Sequence, residues 1–140
     1  MDKPRIDGNT ITIPPDTAHL VTVDEFIEGI LRGFGTDEAV LADIAISVSE
    51  LVNNAIVHGS KANPDEVVIV SLKREGEMVT ISVTDHGGGF DPDRIDDPLK
   101  EENLLKEVGR GIFIVQSLMD KVDISFTDKG TKISISKAIA

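Results

Sequence analysis

The sequence predicts an α+β fold, a two-layer α/β sandwich in which helices cover one face of a mixed, mostly antiparallel sheet. Two observations predict it. Candidate strands come in pairs joined by short turns, and candidate helices come in groups beside them, an order that does not fit a doubly wound parallel sheet. The chain has 140 residues, 40% of them hydrophobic and 28% charged, which is the size and composition of one globular domain. We therefore expect a single domain over residues 1–140.

The N-terminal half contains one candidate strand and two candidate helices. Thr10–Ile13 alternates at period two and stops at two prolines, which predicts a short strand. The apolar residues between positions 18 and 33 recur at helical spacing, and glycines follow where the first helix should end. Asp37 offers a cap for a second, longer helix, which we expect to run to His58 with Gly59 as its stop.

The C-terminal half contains two candidate hairpins on either side of a long loop. Residues 86 to about 110 show no strong period and carry Gly, Pro and many charges, which is typical of a functional lid or a disordered segment. A helix is expected from Gly111 to Met119. Alternating β-branched residues predict strands at residues 66–74, 78–84, 122–127 and 131–136.

The charge balance excludes several partners. Fourteen Lys and Arg stand against 25 Asp and Glu, which gives a net charge of −11. A chain with this negative charge repels nucleic acid and anionic membrane surfaces. The charge is compatible with binding a basic protein, or an anion that a bound cation neutralises. The chain has no Cys, which excludes disulfides and thiol catalysis. We find neither a signal peptide nor a membrane-spanning run and expect a cytoplasmic protein.

The long helix carries a polar stripe beside its apolar face. Glu50 and Asn54 lie one turn apart on it, and His58 follows at its border. Taken alone, this pair fits a solvated surface, and His58 fits a cap for the last carbonyl groups. Asn53 and Asn54 are nevertheless weak helix formers. A carboxylate one turn before a carboxamide also offers oxygen ligands suited to Mg²⁺ and a potential general base.

Two glycine clusters follow the predicted strands. Asp85 and Gly87–Gly89 come directly after a strand, where three glycines leave room for a ligand to approach the backbone. Gly109–Gly111 opens a helix, whose free N–H groups suit an anion. Each cluster taken alone also fits an ordinary turn or cap, as does Gly130–Thr131. Neither the Walker A nor the Rossmann pattern is present.

Taken together and in order, these segments resemble the motifs of the Bergerat-fold (GHKL, histidine-kinase-like) ATPases. Residues 49–59 resemble the N box, Asp85-x-Gly87-x-Gly89 the first glycine box, Gly109-Arg110-Gly111 the second, and Gly130-Thr131 the last Gly-Thr. The short chain, the His-Gly end of the N box and the pattern of residues 109–120 are similar to the bacterial anti-sigma factor serine/threonine kinases. The resemblance covers roughly residues 8–136.

The resemblance implies a role for each matching residue. Glu50 would be the general base that takes the proton of an attacking serine hydroxyl, and Asn54 would ligate Mg²⁺. Asp85 would bind the adenine amino group of ATP, with Thr131 beside it. The implied nucleotide-binding residues are Asn54, His58, Asp85, Gly87, Gly89, Gly109, Arg110, Gly111 and Thr131, with Lys100 and Lys106 as further candidate cations in the lid.

The implied function is that of an ATP-binding anti-sigma factor. It would sequester a sigma factor and phosphorylate a serine on the anti-sigma factor antagonist, a STAS-domain protein. The family also implies a homodimer, with Thr10–Ile13 as the edge that pairs. Three alternatives remain open: a nucleotide-dependent regulator without kinase activity, the detached ATP-binding domain of a histidine kinase, and an α+β domain with no ligand. The acidic run at residues 96–102 is unusual for a phosphate-binding lid.

Overall fold

A computed structural model describes residues 3–59, 66–85, 111–127 and 130–140. The strands are β1 (Arg5–Asp7), β2 (Thr10–Ile13), β3 (Val68–Glu75), β4 (Met78–Asp85), β5 (Lys121–Thr127) and β6 (Gly130–Ala138). The helices are α1 (Leu20–Gly33), α2 (Glu38–Asn54) and α3 (residues 111–118). A 3₁₀ turn, Thr17–His19, precedes α1, and a π turn, Ala55–Gly59, continues α2.

The six strands form one sheet in the order β1-β2-β3-β4-β6-β5, and all the described pairs are antiparallel. Alternate side chains of each central strand are buried against the helices, as the strand period of two requires. The predicted α+β class with helices on one face of a sheet is confirmed. The large fully buried side chains come from both layers and include Ile11, Ile13, Ile27, Leu31, Ile44, Leu51, Ile81 and Ile135.

The other face of the sheet carries small hydroxyl side chains that bond to one another. The hydroxyl oxygens of Thr80 and Ser136 lie 2.9 Å apart, and so do those of Ser82 and Ser134. These residues are cross-strand partners on β4 and β6, where opposed Thr and Ser side chains stabilise a sheet. The face left open by the helices is therefore polar and internally paired.

The N-terminal edge of the sheet differs from the prediction. β1 pairs with β2 through a two-residue turn, in which Gly8 has a φ of 58° that suits glycine. β2 pairs with β3 on its other side. Thr10–Ile13 is therefore an internal strand, and the expectation that it forms the free edge for dimerisation is wrong. Arg5–Asp7 is the outer strand at this end of the sheet.

The connection between α1 and α2 is short and is bridged by ion pairs of one arginine. Gly35 takes a φ of 72° just after α1, as the predicted glycine stop requires. Arg32 bonds to Glu28 one turn earlier and to Glu38 at the start of α2. Asp37 is the N-cap residue of α2, but its side chain makes no capping hydrogen bond.

One helix in the described parts of the chain is long and apolar enough to cross a membrane. It is Glu38–Val57, which comprises α2 and part of the π turn, and 44% of its most apolar window is buried inside the fold. The core helix of a folded domain has the same length and composition. Its buried apolar residues, Leu41, Ile44, Val48, Leu51, Val52, Ala55 and Ile56, are members of the hydrophobic core.

Helix α1 contains a carboxyl group whose ionisation opposes folding. Burial, Glu28 and Glu25, in that order of effect, raise the pKa of Asp24 above its ordinary value. The folded state therefore binds this proton more tightly than the unfolded chain does. The contribution of Asp24 to stability is present below about pH 4 and is lost as the pH rises through the folded-state pKa.

We expect Asp24→Asn to raise the free energy of unfolding at pH 7 by about 0.5 kcal/mol or less, because the side chain is partly solvated. Thermal unfolding measures the gain, which should shrink as the pH approaches about 4, where the wild-type carboxyl is increasingly protonated in both states. Asp7→Asn, at an exposed position of β1, is the control. A gain that does not change with pH would contradict the prediction.

Candidate functional site

Glu50, Asn54 and Gly111 meet where α2 passes the first described turn of α3. The two side chains lie one helical turn apart and are half-buried. A Cβ atom built on Gly111 would lie 2.5 Å from Glu50 Oε1 and 2.9 Å from Asn54 Nδ2. Real Cβ atoms essentially never approach other atoms this closely. The backbone of α3 can touch both side chains because residue 111 is glycine.

The amide of Asn54 has a free hydrogen-bonding group. Its Nδ2 atom is buried and has no partner among the described residues. An unpaired buried donor costs about 1–3 kcal/mol, and an acceptor such as a phosphate oxygen would satisfy it. Rotating the amide by half a turn presents Oδ1 to the same place, and an amide oxygen suits Mg²⁺. A phosphate group with its metal ion therefore fits this position chemically.

The described residues supply only part of a metal coordination shell here. Within the described ranges, no three His, Cys, Asp or Glu side chains come together to hold a metal ion. Mg²⁺ commonly binds through one or two protein oxygens and takes its other ligands from phosphate and water. The pair of Glu50 and Asn54 matches that donor set.

Asp85 and Thr131 form a second part of the site at the end of the central strands. Asp85 ends β4 and is 5% exposed. Its register partners are Val68 on β3 and Thr131 on β6. Opposed residues of an antiparallel pair have Cβ atoms about 5 Å apart, so both side chains can reach one ligand group. An ionised carboxylate accepts hydrogen bonds and suits a ligand that carries an amine.

The π turn joins the two parts of the site. Ala55–Gly59 continues directly from Asn54 and packs against β4, the strand that ends at Asp85. Ala55 and Ile56 are buried there, which fixes the C-terminal end of α2 on the sheet. The long helix thus reaches His58 as expected, but its last turn is π-helical, a local form that is frequent at functional sites.

Some predicted site residues lie outside the described residues. These are Gly87, Gly89, Lys100, Lys106, Gly109 and Arg110, and the predicted lid at about 86–110 lies there as well. For His58 the structure describes the backbone alone. Of the remaining predicted residues, the structure brings Glu50, Asn54 and Gly111 into one group and places Asp85 opposite Thr131.

Sequence reasoning missed Lys137. This residue follows Thr131, Ile133 and Ile135 at the period of two along β6, at positions whose side chains face the helices. A Lys at the next inward position is unexpected for a buried sheet face. That break in the alternation was the signal available in the sequence, and the contacts of Lys137 are described below.

The comparison with known families decides the identification of the chain. Residues 13–137 match the model of the histidine kinase-like ATPase domain. The chain belongs to the histidine kinase-like ATPase domain family. The predicted resemblance to the Bergerat-fold, histidine-kinase-like ATPases is confirmed.

Individual proteins similar to this ATPase domain indicate which subgroup of the family it resembles. An anti-sigma F factor of Bacillus cytotoxicus is 37% identical over 103 residues, which cover 71% of this chain and 70% of the relative. A serine-protein kinase RsbW of Staphylococcus aureus is 30% identical over 135 residues, which cover 91% and 84% respectively. The predicted membership of the anti-sigma factor serine kinase group is therefore confirmed at the level of the family.

A solved structure supports the fold. The crystal structure of the RsbU and RsbW domains of a Mycobacterium tuberculosis protein aligns with a TM-score of 0.69 at 20% identity. The alignment covers 93% of this chain and 31% of that chain, so this chain spans about a third of the neighbour's length. At this identity the likeness shows the shared architecture.

Proposed function

We propose that the chain is an ATP-dependent serine kinase that acts as an anti-sigma factor. It would hold a sigma factor and phosphorylate a serine on the STAS-domain antagonist that releases it. The observation that carries the proposal is the contact of Gly111 with Glu50 and Asn54, because it joins the second glycine motif to the N box. The relatives named anti-sigma F factor and serine-protein kinase RsbW support it.

The adenine end of ATP would lie at Asp85 and Thr131. Asp85 accepts a hydrogen bond from the exocyclic amine, and a carboxylate buried among apolar strand residues discriminates against bases without a donor there. Thr131, its register partner, adds a hydroxyl group beside it. Gly87 and Gly89 would leave room for the backbone to approach the nucleotide.

The phosphate end would lie at Asn54 and the start of α3. Mg²⁺, when bound with ATP, neutralises phosphate charge and orients the γ-phosphate. Asn54 offers its amide group to that ion or to a phosphate oxygen. The α3 backbone at Gly111 offers N–H groups to the phosphates, with Gly109, Arg110 and His58 as further expected contacts. A chain with net charge −11 can hold ATP because these groups act locally.

Glu50 would act on the protein substrate. Its carboxylate accepts the proton of the serine hydroxyl as the oxygen attacks the γ-phosphate, a general-base role. The side chain needs a fixed orientation for this, and the adjacent α3 backbone limits its freedom. Phosphoryl transfer depends mainly on positioning and charge neutralisation, so the site needs no covalent nucleophile.

The expected partners are proteins. A strongly acidic surface favours association with basic patches and disfavours nucleic acid. Homodimerisation and a cytoplasmic location are part of the proposal and follow from the family. The second candidate function is a nucleotide-dependent regulator that binds partners without transferring phosphate.

Calorimetric titration of Mg-ATP and Mg-ADP tests the nucleotide site. We expect micromolar binding by the wild type and a loss of about 10- to 100-fold in affinity for Asp85→Asn, because the variant replaces a charged acceptor beneath the adenine amine. Asp123→Asn is the matched control, since Asp123 is an exposed strand carboxylate on β5.

Two results would refute the proposed function. A folded wild-type protein that binds neither nucleotide has no ATP site. Equal affinities for the wild type and Asp85→Asn would show that adenine does not bind at the end of β4. The circular dichroism of each variant establishes that it is folded, since the chain contains neither Trp nor Tyr for fluorescence.

A further inference from the structure

Lys137 occupies an inward position in the sheet. It is the register partner of Val79, a residue with no exposed surface, and opposed residues of an antiparallel pair point to the same face. The Lys137 side chain is 17% exposed. A half-buried ammonium group is costly unless it is paired, so its partners show what it does.

The ammonium group of Lys137 joins two helices. Its Nζ donates a hydrogen bond of 2.6 Å to the carbonyl oxygen of Leu118, the last residue of α3. It also lies 3.6 Å from Asp43 Oδ2 on α2. A cation at the C-terminal end of a helix satisfies a free carbonyl group and interacts favourably with the helix dipole. We call this set of three groups the Lys137 clip.

The neighbours of Lys137 on β6 hold the same end of α3. The backbone N–H of Asp120 donates to Ser136 O at 2.9 Å. The carboxylate of Asp120 accepts from the backbone N–H of Ala138 at 2.9 Å. Three consecutive residues of β6 thus contact the chain from Leu118 to Asp120, and the contact through Lys137 continues to α2.

The clip and the candidate site lie at opposite ends of the same helix pair. Asp43 and Glu50 are seven residues apart on α2, and Leu118 and Gly111 are seven residues apart on α3. Seven helical residues span about 10 Å. The two helices therefore run antiparallel, with one contact at Asp43 and Leu118 through Lys137 and the other at Glu50 and Gly111.

We propose that Lys137 is a positioning residue, which sets the axial position of α3 along α2 and thereby the distance between Gly111 and the Glu50 carboxylate. An α-helix is stiff along its axis, so a contact at Leu118 is transmitted to Gly111. The inference rests on the proposed function for the role of Glu50. The position of Gly111 itself can be tested without nucleotide.

The structural test uses ¹⁵N-labelled protein without nucleotide. We expect Lys137→Met to shift the backbone amide signal of Gly111 and the side-chain amide signals of Asn54, although the substituted side chain contacts neither. Lys137→Arg should restore most of the wild-type positions because it keeps the charge. Lys132→Met, at an exposed position on the same strand, should leave these signals unchanged.

A second variant keeps the inference falsifiable if Lys137→Met does not fold. Asp43→Asn removes the other charge of the clip and should shift the same signals in the same direction. Its effect should be smaller than that of a folded Lys137→Met protein and should not add to it, because Lys137→Met removes the pair with Asp43 and also the hydrogen bond to Leu118. Unchanged Gly111 and Asn54 signals in a folded Lys137→Met or Asp43→Asn protein would overturn the inference.

The kinetic test measures phosphate transfer from Mg-ATP to a STAS-domain antagonist protein. We expect kcat to fall about 10- to 100-fold in Lys137→Met, since small misplacements at a transfer site have effects of this size, while KM for Mg-ATP stays within about twofold. If KM for Mg-ATP rises about 10- to 100-fold and kcat stays at the wild-type value, the positioning role is overturned. A wild type that binds no Mg-ATP refutes the proposed function and leaves the spectroscopic test standing.

Discussion

Replacing Glu50 by Gln is expected to slow serine phosphorylation by at least about 100-fold while the affinity for Mg-ATP remains close to that of the wild type. The amide has nearly the shape of the carboxylate but cannot accept the proton of the serine hydroxyl. General-base catalysis contributes about 10²- to 10⁴-fold to a rate, and we expect a fall in kcat of that size. Transfer of labelled phosphate from ATP to a STAS-domain antagonist measures it, with calorimetry for nucleotide binding.

Glu25→Gln provides the control for this substitution, because Glu25 is an exposed carboxylate on α1 and its loss should leave transfer unchanged. If Glu50→Gln transfers phosphate at the wild-type rate, Glu50 is not the base. If the wild type and Glu50→Gln both bind Mg-ATP and neither transfers phosphate, the nucleotide-dependent regulator without kinase activity becomes the better description.

Replacing Gly111 by Ala is expected to impair activity without destabilising the fold. The new methyl group would lie 2.5 Å from Glu50 Oε1 and 2.9 Å from Asn54 Nδ2, so both side chains must move. Glu50 Cγ would lie 3.1 Å away as well, and all three atoms belong to side chains, so side chains must shift and the backbone need not. Alanine also has a higher helix propensity than glycine by about 1 kcal/mol. We expect kcat/KM to fall about 100-fold while the melting temperature is unchanged or higher.

Gly29→Ala separates the two effects. Gly29 is an exposed helical glycine in α1, and a Cβ atom there would have no heavy atom within 4 Å. This control should stabilise the protein by about 0.5–1 kcal/mol and leave activity unchanged. Full activity in Gly111→Ala would show that Glu50 and Asn54 do not need their observed positions. A large fall in the free energy of unfolding of Gly111→Ala would show that the substitution impairs folding and not the site alone.

The sequence predicts those parts of the fold that depend on local patterns. The hairpin of β3 and β4 follows from alternation on both sides of a turn, and Gly76 takes the positive φ that the turn requires. The strand β1 was missed because Arg5–Asp7 has three residues with a single apolar side chain, too few to show a period, and all three are exposed in the structure. Its signal was the Gly8-Asn9 pair, a typical two-residue hairpin turn.

The candidate site is only partly predictable for a different reason. Spacing places Glu50 and Asn54 on one helix face, but their contact with Gly111 depends on how α3 packs against α2. That packing involves Val115 and Met119, which are buried in the core, and no local pattern specifies it. The pairing of Asp85 with Thr131 likewise requires the strand order β4-β6-β5, which spacing along the chain does not determine.

That strand order has a kinetic consequence. The pairs β3–β4 and β5–β6 are local hairpins, whereas β4 and β6 are separated in the chain by residues 86–129, which include α3 and β5. Local pairs close quickly, while distant pairs must first overcome the entropy of closing a long loop. Asp85 and Thr131 lie on opposite sides of that late junction. We expect the proposed adenine site to be among the last parts of the protein to form during folding, and ATP, if bound there, to slow the first separation of the two halves during unfolding.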